Sequence, residues 1–196
     1  MAAPANKTIG DLGGKWVMNK TLSDDVEPGL ALQGIGWMTR KAIGLATVTL
    51  QVKQYTDAAD GKPHLDIEQT ATGGIKGTSE HRTLDDTPRE HADWLFGKVK
   101  GRSLYIAADA LPAKVKEQLL GDDFLTEGWL QSDEEKTGPG GALHVVNWVE
   151  AEAGWTVAQV WGFQTVGGER RYARNIVITN KDKKVELRLV YDFISE

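Results

Sequence analysis

The chain has 196 residues, is 40% apolar and 26% charged, carries a formal charge of -5 and contains no cysteine. That length suits one domain with a real core. An acidic balance gives no electrostatic drive toward nucleic acid or anionic membranes, and the absence of thiols excludes disulfides, thiolate nucleophiles and cysteine-ligated zinc.

The opening "MAAPANKTIGDLGG" lacks the charged and apolar regions of a secretory signal, so a cytoplasmic protein is expected, with residues 1–10 frayed. No apolar run approaches the roughly 18 residues of a membrane span, so no integral membrane segment is expected. "GKWVMNK" (14–20) reads as a strand. Residues 23–46 depart from strand periodicity: "SDD" can cap a helix, Pro28 and Gly29 interrupt, and Trp37, Lys41 and Leu45 recur with Met38 and Ala42 at helical spacing.

From there the dominant period is two, in Val48/Leu50/Val52, Leu65/Ile67, Trp155/Val157/Trp161/Phe163, Tyr172/Ile176/Ile178 and Val185/Leu187/Leu189/Tyr191/Phe193. Turn chemistry such as "DAADGKP", "TGG", "DDTP", "VGGE" and "NKDKK" separates these runs. "LPAKVKEQLLGDDF" (111–124) reads as a short helix with Pro112 in its first turn and Gly121 as a stop. "QSDEEKTGPGG" (131–141) reads as a mobile surface loop, so 111–141 is an insertion between strands. Together these predict a mostly β single domain over 1–196. It is an up-and-down antiparallel barrel of about ten strands, with a helix-turn-helix cap after the first strand and a short extra helix mid-chain.

"GKWVMNKTLSDD" followed by "GLALQGIGWMTRKAIGLA" resembles the intracellular fatty-acid-binding proteins, within the wider lipocalin-type (calycin) barrel group. In that family the first strand carries Gly-x-Trp, and the helix-turn-helix carries the Gly-x-Gly-aromatic-x-x-Arg-Lys stretch seen here as Gly34 to Lys41. The resemblance implies a ligand cavity with the helix pair over its mouth, placing Ile35, Trp37 and Met38 toward the cavity and Arg40 and Lys41 at the rim. The family closes with Arg-x-Tyr to grip a carboxylate. This chain has Arg188-Leu189-Val190-Tyr191, which puts Arg188 and Tyr191 on opposite strand faces.

Polar residues inside otherwise apolar alternations are then the candidate ligand contacts: Gln69, His81, Asn147, Gln159 and Arg174, with Trp161 and Tyr191 beside them. A buried arginine is costly alone and satisfied by an anion or carbonyl, so Arg174 with Tyr191 substitutes for the missing clamp. His91-Ala92-Asp93 reads as a hairpin surface feature. No catalytic residue is assigned, and no cofactor or metal is expected, because nucleophile-elbow, phosphate-loop, dinucleotide and zinc motifs are all absent. The first functional expectation is a carrier that binds or transports a hydrophobic small molecule. The alternative is an isomerase or cyclase of natural-product biosynthesis that folds and polarises a hydrophobic substrate in the same cavity.

Overall fold

A computed structural model describes all of residues 1–196. Ten strands form one antiparallel sheet: β1 (Gly14–Met18), β2 (Val48–Thr56), β3 (Pro63–Ala71), β4 (Thr78–Thr83), β5 (Arg89–Asp93), β6 (Gly97–Ile106), β7 (His144–Ala151), β8 (Trp155–Val166), β9 (Glu169–Asn180) and β10 (Lys183–Ser195). The lateral order β4-β3-β2-β1-β10-β9-β8-β7-β6-β5 pairs sequence neighbours throughout and joins β1 to β10. The sheet thereby curls into a nearly closed barrel whose two edges, β4 and β5, face each other without a ladder. Closure shields edges that a flat sheet of this size would expose.

Two helices, α1 (Glu27–Leu32) and α2 (Trp37–Leu45), follow β1, and α3 (Leu111–Gln118) lies mid-chain. Pro28 does not interrupt α1 but sits in its first turn, where a missing N–H leaves no bond unmade. Gly34 turns the chain between the helices at φ 82°, a conformation that favours glycine. Gly29 lets α1 approach the barrel, since a Cβ there would lie 2.8 Å from Ile178 Cδ1 and 2.9 Å from Leu187 Cδ2. No helix is long and apolar enough to cross a membrane.

The lower half of the barrel is filled. Trp16, Leu50, Leu65, Ile67, Phe163 and Tyr172 are buried there, and Trp16 packs on Phe163, Tyr172 and Phe193 at centroid distances of 5.0 to 6.5 Å. Residues 1–10, expected to fray, instead plug this end. Ile9 is 1% exposed, the Ala3 amide donates to the Arg170 carbonyl at 2.8 Å, and Arg170 returns bonds to the Pro4 and Lys7 carbonyls. The expected mobile loop is also tied down: Glu135 is buried and takes both Arg170 Nε and Nη2 at 2.6 Å. The charge pattern "SDEEK" resembles a solvated loop in sequence, but one glutamate serves as counter-ion to a distant arginine.

Residues 107–131 cover the outer face of β7–β9 and bury a second apolar layer of Leu111, Val115, Leu119, Leu125 and Trp129 against Val146, Ala158, Val160 and Val177. Asn175 on β9 fastens it, its Nδ2 donating to the Phe124 and Glu127 carbonyls at 2.8 and 3.1 Å. The mid-chain insertion therefore braces the wall rather than covering the mouth.

Candidate active site

Above the aromatic plug the barrel holds a cavity of about 250 Å³. Apolar side chains of β8 to β10 (Trp155, Val157, Ile176, Ile178, Leu187 and Leu189) form much of its wall, and α1, Gln33 and Ile43 border its mouth. Hydrophobic walls with a few converging polar groups are the usual makeup of a small-molecule site.

The floor is where the polar groups converge. On β9 the alternation turns Tyr172, Arg174, Ile176 and Ile178 inward, and the ladder sets Arg174 between Trp161 of β8 and Leu189 of β10. The Arg174 guanidinium carbon lies 4.0 Å from the Trp161 ring centroid and 5.2 Å from that of Tyr191, and Nε donates to the Tyr172 hydroxyl at 2.9 Å. Its Nη2 is buried with no protein partner. Trp161 is held in turn by its indole N–H, which donates to Gln159 Oε1 at 3.0 Å.

Glu80 and Arg82 on β4 face the same space. Arg82 Nε and Nη2 both reach Glu80 Oε2, at 2.8 and 2.6 Å, and Arg82 Nη1 extends across the unpaired edge to Ser103 Oγ on β6 at 3.3 Å. Asn147 completes that chain by donating to the same Ser103 Oγ at 3.1 Å. Burial opposes the charge on Glu80, yet Arg82 and Arg174 outweigh it and hold the carboxyl below its usual range. Burial also opposes the charge on Arg174, but Tyr172, Tyr191 and Glu80 around it keep the guanidinium firmly protonated. Burial pushes the Tyr172 hydroxyl up to about 12, so it stays neutral. The floor is thus a fixed cation whose Nη1 and Nη2 groups have no protein partner, lying against aromatic faces.

Of the residues singled out from sequence, Arg174, Tyr191, Gln159 and Gln69 line this cavity, Trp161 forms its floor beneath Arg174, and Asn147 lies buried behind it. His81 does not belong with them. It lies on the outer face of β4, exposed and bonded to Asp66 Oδ1 at 2.9 Å. The irregular segment before Thr78 shifts the alternation, so Glu80 and Arg82 point inward instead. Trp37 and Met38 are 62% and 78% exposed and turn away from the cavity, whereas Ile43 on the other face of α2 borders it. Arg40 spans α2 to α1, bonding Glu27 Oε1 at 2.9 Å and the Ile35 carbonyl at 2.6 Å.

Sequence reasoning missed Glu80, Arg82, His91 and Asp93, all of which line the cavity. Their strands, "TSEHRT" and "REHAD", carry no apolar face, so no period shows which residues turn inward. No group of three or more His, Asp or Glu side chains is arranged to hold a metal ion.

No protein-family model matches the chain. The probable pericyclase scpY of Mollisia scopiformis is 32% identical over 193 residues, covering 98% of this chain and 95% of that protein. The chain belongs to the pericyclase family. A second member, the pericyclase pydY of an Acremonium species, is 29% identical over 194 residues, covering 99% of this chain and 97% of its own. Among solved structures, the wild-type fluorescent protein UnaG superposes with a TM-score of 0.56 at 12% identity, covering 93% of this chain and 96% of that one. The Schistosoma mansoni fatty acid binding protein in complex with arachidonic acid gives 0.55 at 14%, with coverages of 93% and 96%.

These structures share the barrel with the pericyclase-family chain, as the sequence resemblance implied, and at such identities they speak to fold alone. The expectation of a carrier is therefore corrected: the relatives matched along nearly the whole sequence are pericyclases, and transport has no support. The fatty-acid-binding signature at Gly34 to Lys41 marks the architecture of the cap, and architecture is shared more widely than activity.

Proposed function

We propose that the protein is a pericyclase of natural-product biosynthesis, acting on a hydrophobic, conjugated substrate held in the barrel cavity. The reading rests on kinship with pericyclases, and the observation that carries it into chemistry is the Arg174 guanidinium, which lines the cavity and spends one N–H on the protein, the bond to Tyr172. A pericyclic step makes and breaks bonds in one cyclic array of electrons, with no nucleophile. Such a reaction gains from being held in its folded geometry, with the reacting termini in contact and extended conformers excluded. A charged donor aimed at a carbonyl or enolate oxygen conjugated to the reacting π-system adds to this by stabilising the charge that builds there.

The parts fit these roles. Apolar walls above a closed floor select a folded substrate over an extended one, Tyr191 offers a flat face to a conjugated system, and Arg174, seated on Trp161, supplies the polarising N–H. Glu80 and Arg82 neutralise each other and leave the Arg174 Nη groups unoccupied.

A pericyclic rearrangement conserves mass, which gives a direct test. Carbonyl-bearing conjugated polyenes are incubated with the protein and followed by liquid chromatography with mass detection. The expected result is a product of unchanged mass, new retention time and reduced conjugated absorbance. Arg174→Met should slow its formation roughly 10²- to 10³-fold, the cost of losing one such donor. Stoichiometric capture without conversion across the panel would overturn the proposal.

A further inference from the structure

Pericyclic chemistry needs no base, yet a histidine beside a carboxylate stands in the same cavity. His91 and Asp93 lie two apart on β5 and therefore share its inward face, at the unpaired edge opposite Glu80 of β4. Asp93 is locked in place: its Oδ1 accepts the Leu95 and Phe96 amides at 2.8 and 2.7 Å. That leaves Oδ2, which lies 3.5 Å from His91 Nε2, a ring nitrogen that is buried and bonded to nothing else. A carboxylate so placed favours the proton on Nε2 and leaves Nδ1 as the acceptor. Catalytic contacts of this kind are often long before substrate arrives. Glu80 is the other carboxylate at this edge, but its Oε2 is committed to two Arg82 donors, which makes it a poor base.

We propose that His91, positioned by Asp93, is a general base that gives the cavity a second activity: proton transfer on carbon acids whose developing negative charge falls to Arg174. The step balances without any other reactant. Neutral His91 Nδ1 removes a proton from a carbon conjugated to a carbonyl, the C–H electron pair moves into the π-system, and the resulting enolate oxygen is held by the Arg174 guanidinium. The imidazolium then returns its proton at another carbon of the same system. The net change is an isomerisation that shifts a double bond, the kind of step that prepares or rearranges a diene. The activity concerns the cavity already described but does not depend on a pericyclic step occurring there.

The probe is 5-nitrobenzisoxazole, a flat apolar carbon acid. A base removes its ring C–H proton, the carbon–nitrogen triple bond forms, the N–O bond breaks, and a yellow cyanophenolate is released. The wild-type protein should convert it with saturable kinetics, at least on the order of 100-fold faster than the same concentration of free imidazole, the gain expected of a positioned base. His91→Ala should lose that gain and recover part of it when imidazole is added, a rescue that damage to the fold would not permit. His91→Gln, which keeps side-chain bulk, should be equally slow.

Asp93→Asn should displace the pH–rate profile, measured with Glu80 and Arg82 of β4 and Arg174 of β9 left in place as the other charged groups around the imidazole. A wild-type rate no better than free imidazole, or an undiminished rate in both His91 variants, overturns the proposal. Either result leaves the polyene assay of Arg174 untouched, so the two readings fail separately.

Discussion

On the proposed function, Arg174 is a side chain held for chemistry rather than for stability. A buried guanidinium is expensive to desolvate, and replacing a buried charge with an apolar group of similar volume is often neutral or stabilising. Arg174→Met removes the cation while Glu80 keeps both of its Arg82 bonds, so no orphaned carboxylate results. The only direct hydrogen bond lost is the one to the Tyr172 hydroxyl, worth about 1 kcal/mol. The unfolding free energy of Arg174→Met from urea titration should therefore stay within about 1 kcal/mol of wild type while turnover collapses. A stability loss of several kcal/mol would make the residue structural. The inward placement of Arg174, Tyr191 and Gln159 was legible because each strand has an apolar phase that marks the lumen. That of Glu80 and His91 was not, because a polar edge strand offers no phase to read.

Among the elements, the braced outer wall carries a pH sensor of stability at His144. This residue on β7 is 1% exposed beneath the insertion, with its ring 5.2 Å from that of Trp129. Burial pushes its imidazole down from 6.5 to about 4, offset only in part by the nearby Trp161 backbone. The folded state therefore prefers the neutral ring, and between pH 6.5 and 4 the unfolded chain binds a proton that the folded chain refuses. Stability must fall as pH drops through that window and the loss levels off below it, by about 3 kcal/mol at 1.36 kcal/mol per unit of pKa. His144→Gln should flatten this limb of a urea-midpoint curve against pH, leaving the carboxylate-driven loss at lower pH in place. An unchanged slope from pH 6.5 to 4 would show that other groups carry it. The sequence announced α3 and the glycine-rich stretch after it. It did not show that they brace the wall, because the fastening is done by single amides such as Asn175 from strands far along the chain.

Taken whole, the molecule divides across the barrel axis. The lower half is packed solid from Trp16 to the N-terminal plug, and the upper half keeps an open cavity between the same strands. Substitutions should have opposite consequences in the two halves. Trp16 is fully buried, touches three other rings and donates its indole N–H to the Leu12 carbonyl at 2.8 Å. Trp16→Ala opens a closed void there and should cost roughly 3 to 5 kcal/mol.

Leu189 also points inward, but it borders space that is already empty. Truncating it enlarges an existing cavity rather than creating a sealed one, so the loss should be confined to the transfer term, about 1 to 2 kcal/mol for a side chain that is only partly buried. The gain in room beside Arg174 should let Leu189→Ala accept substrates bulkier than the wild type tolerates, read as a fall in KM for the larger member of a homologous pair. Equal destabilisation by the two substitutions, with no change in substrate preference, would mean that the barrel is one undivided core. The expected contrast would instead locate stability below the Arg174 floor and selectivity above it, an arrangement that lets a barrel of this kind exchange one hydrophobic substrate for another without refitting the structure that holds it closed.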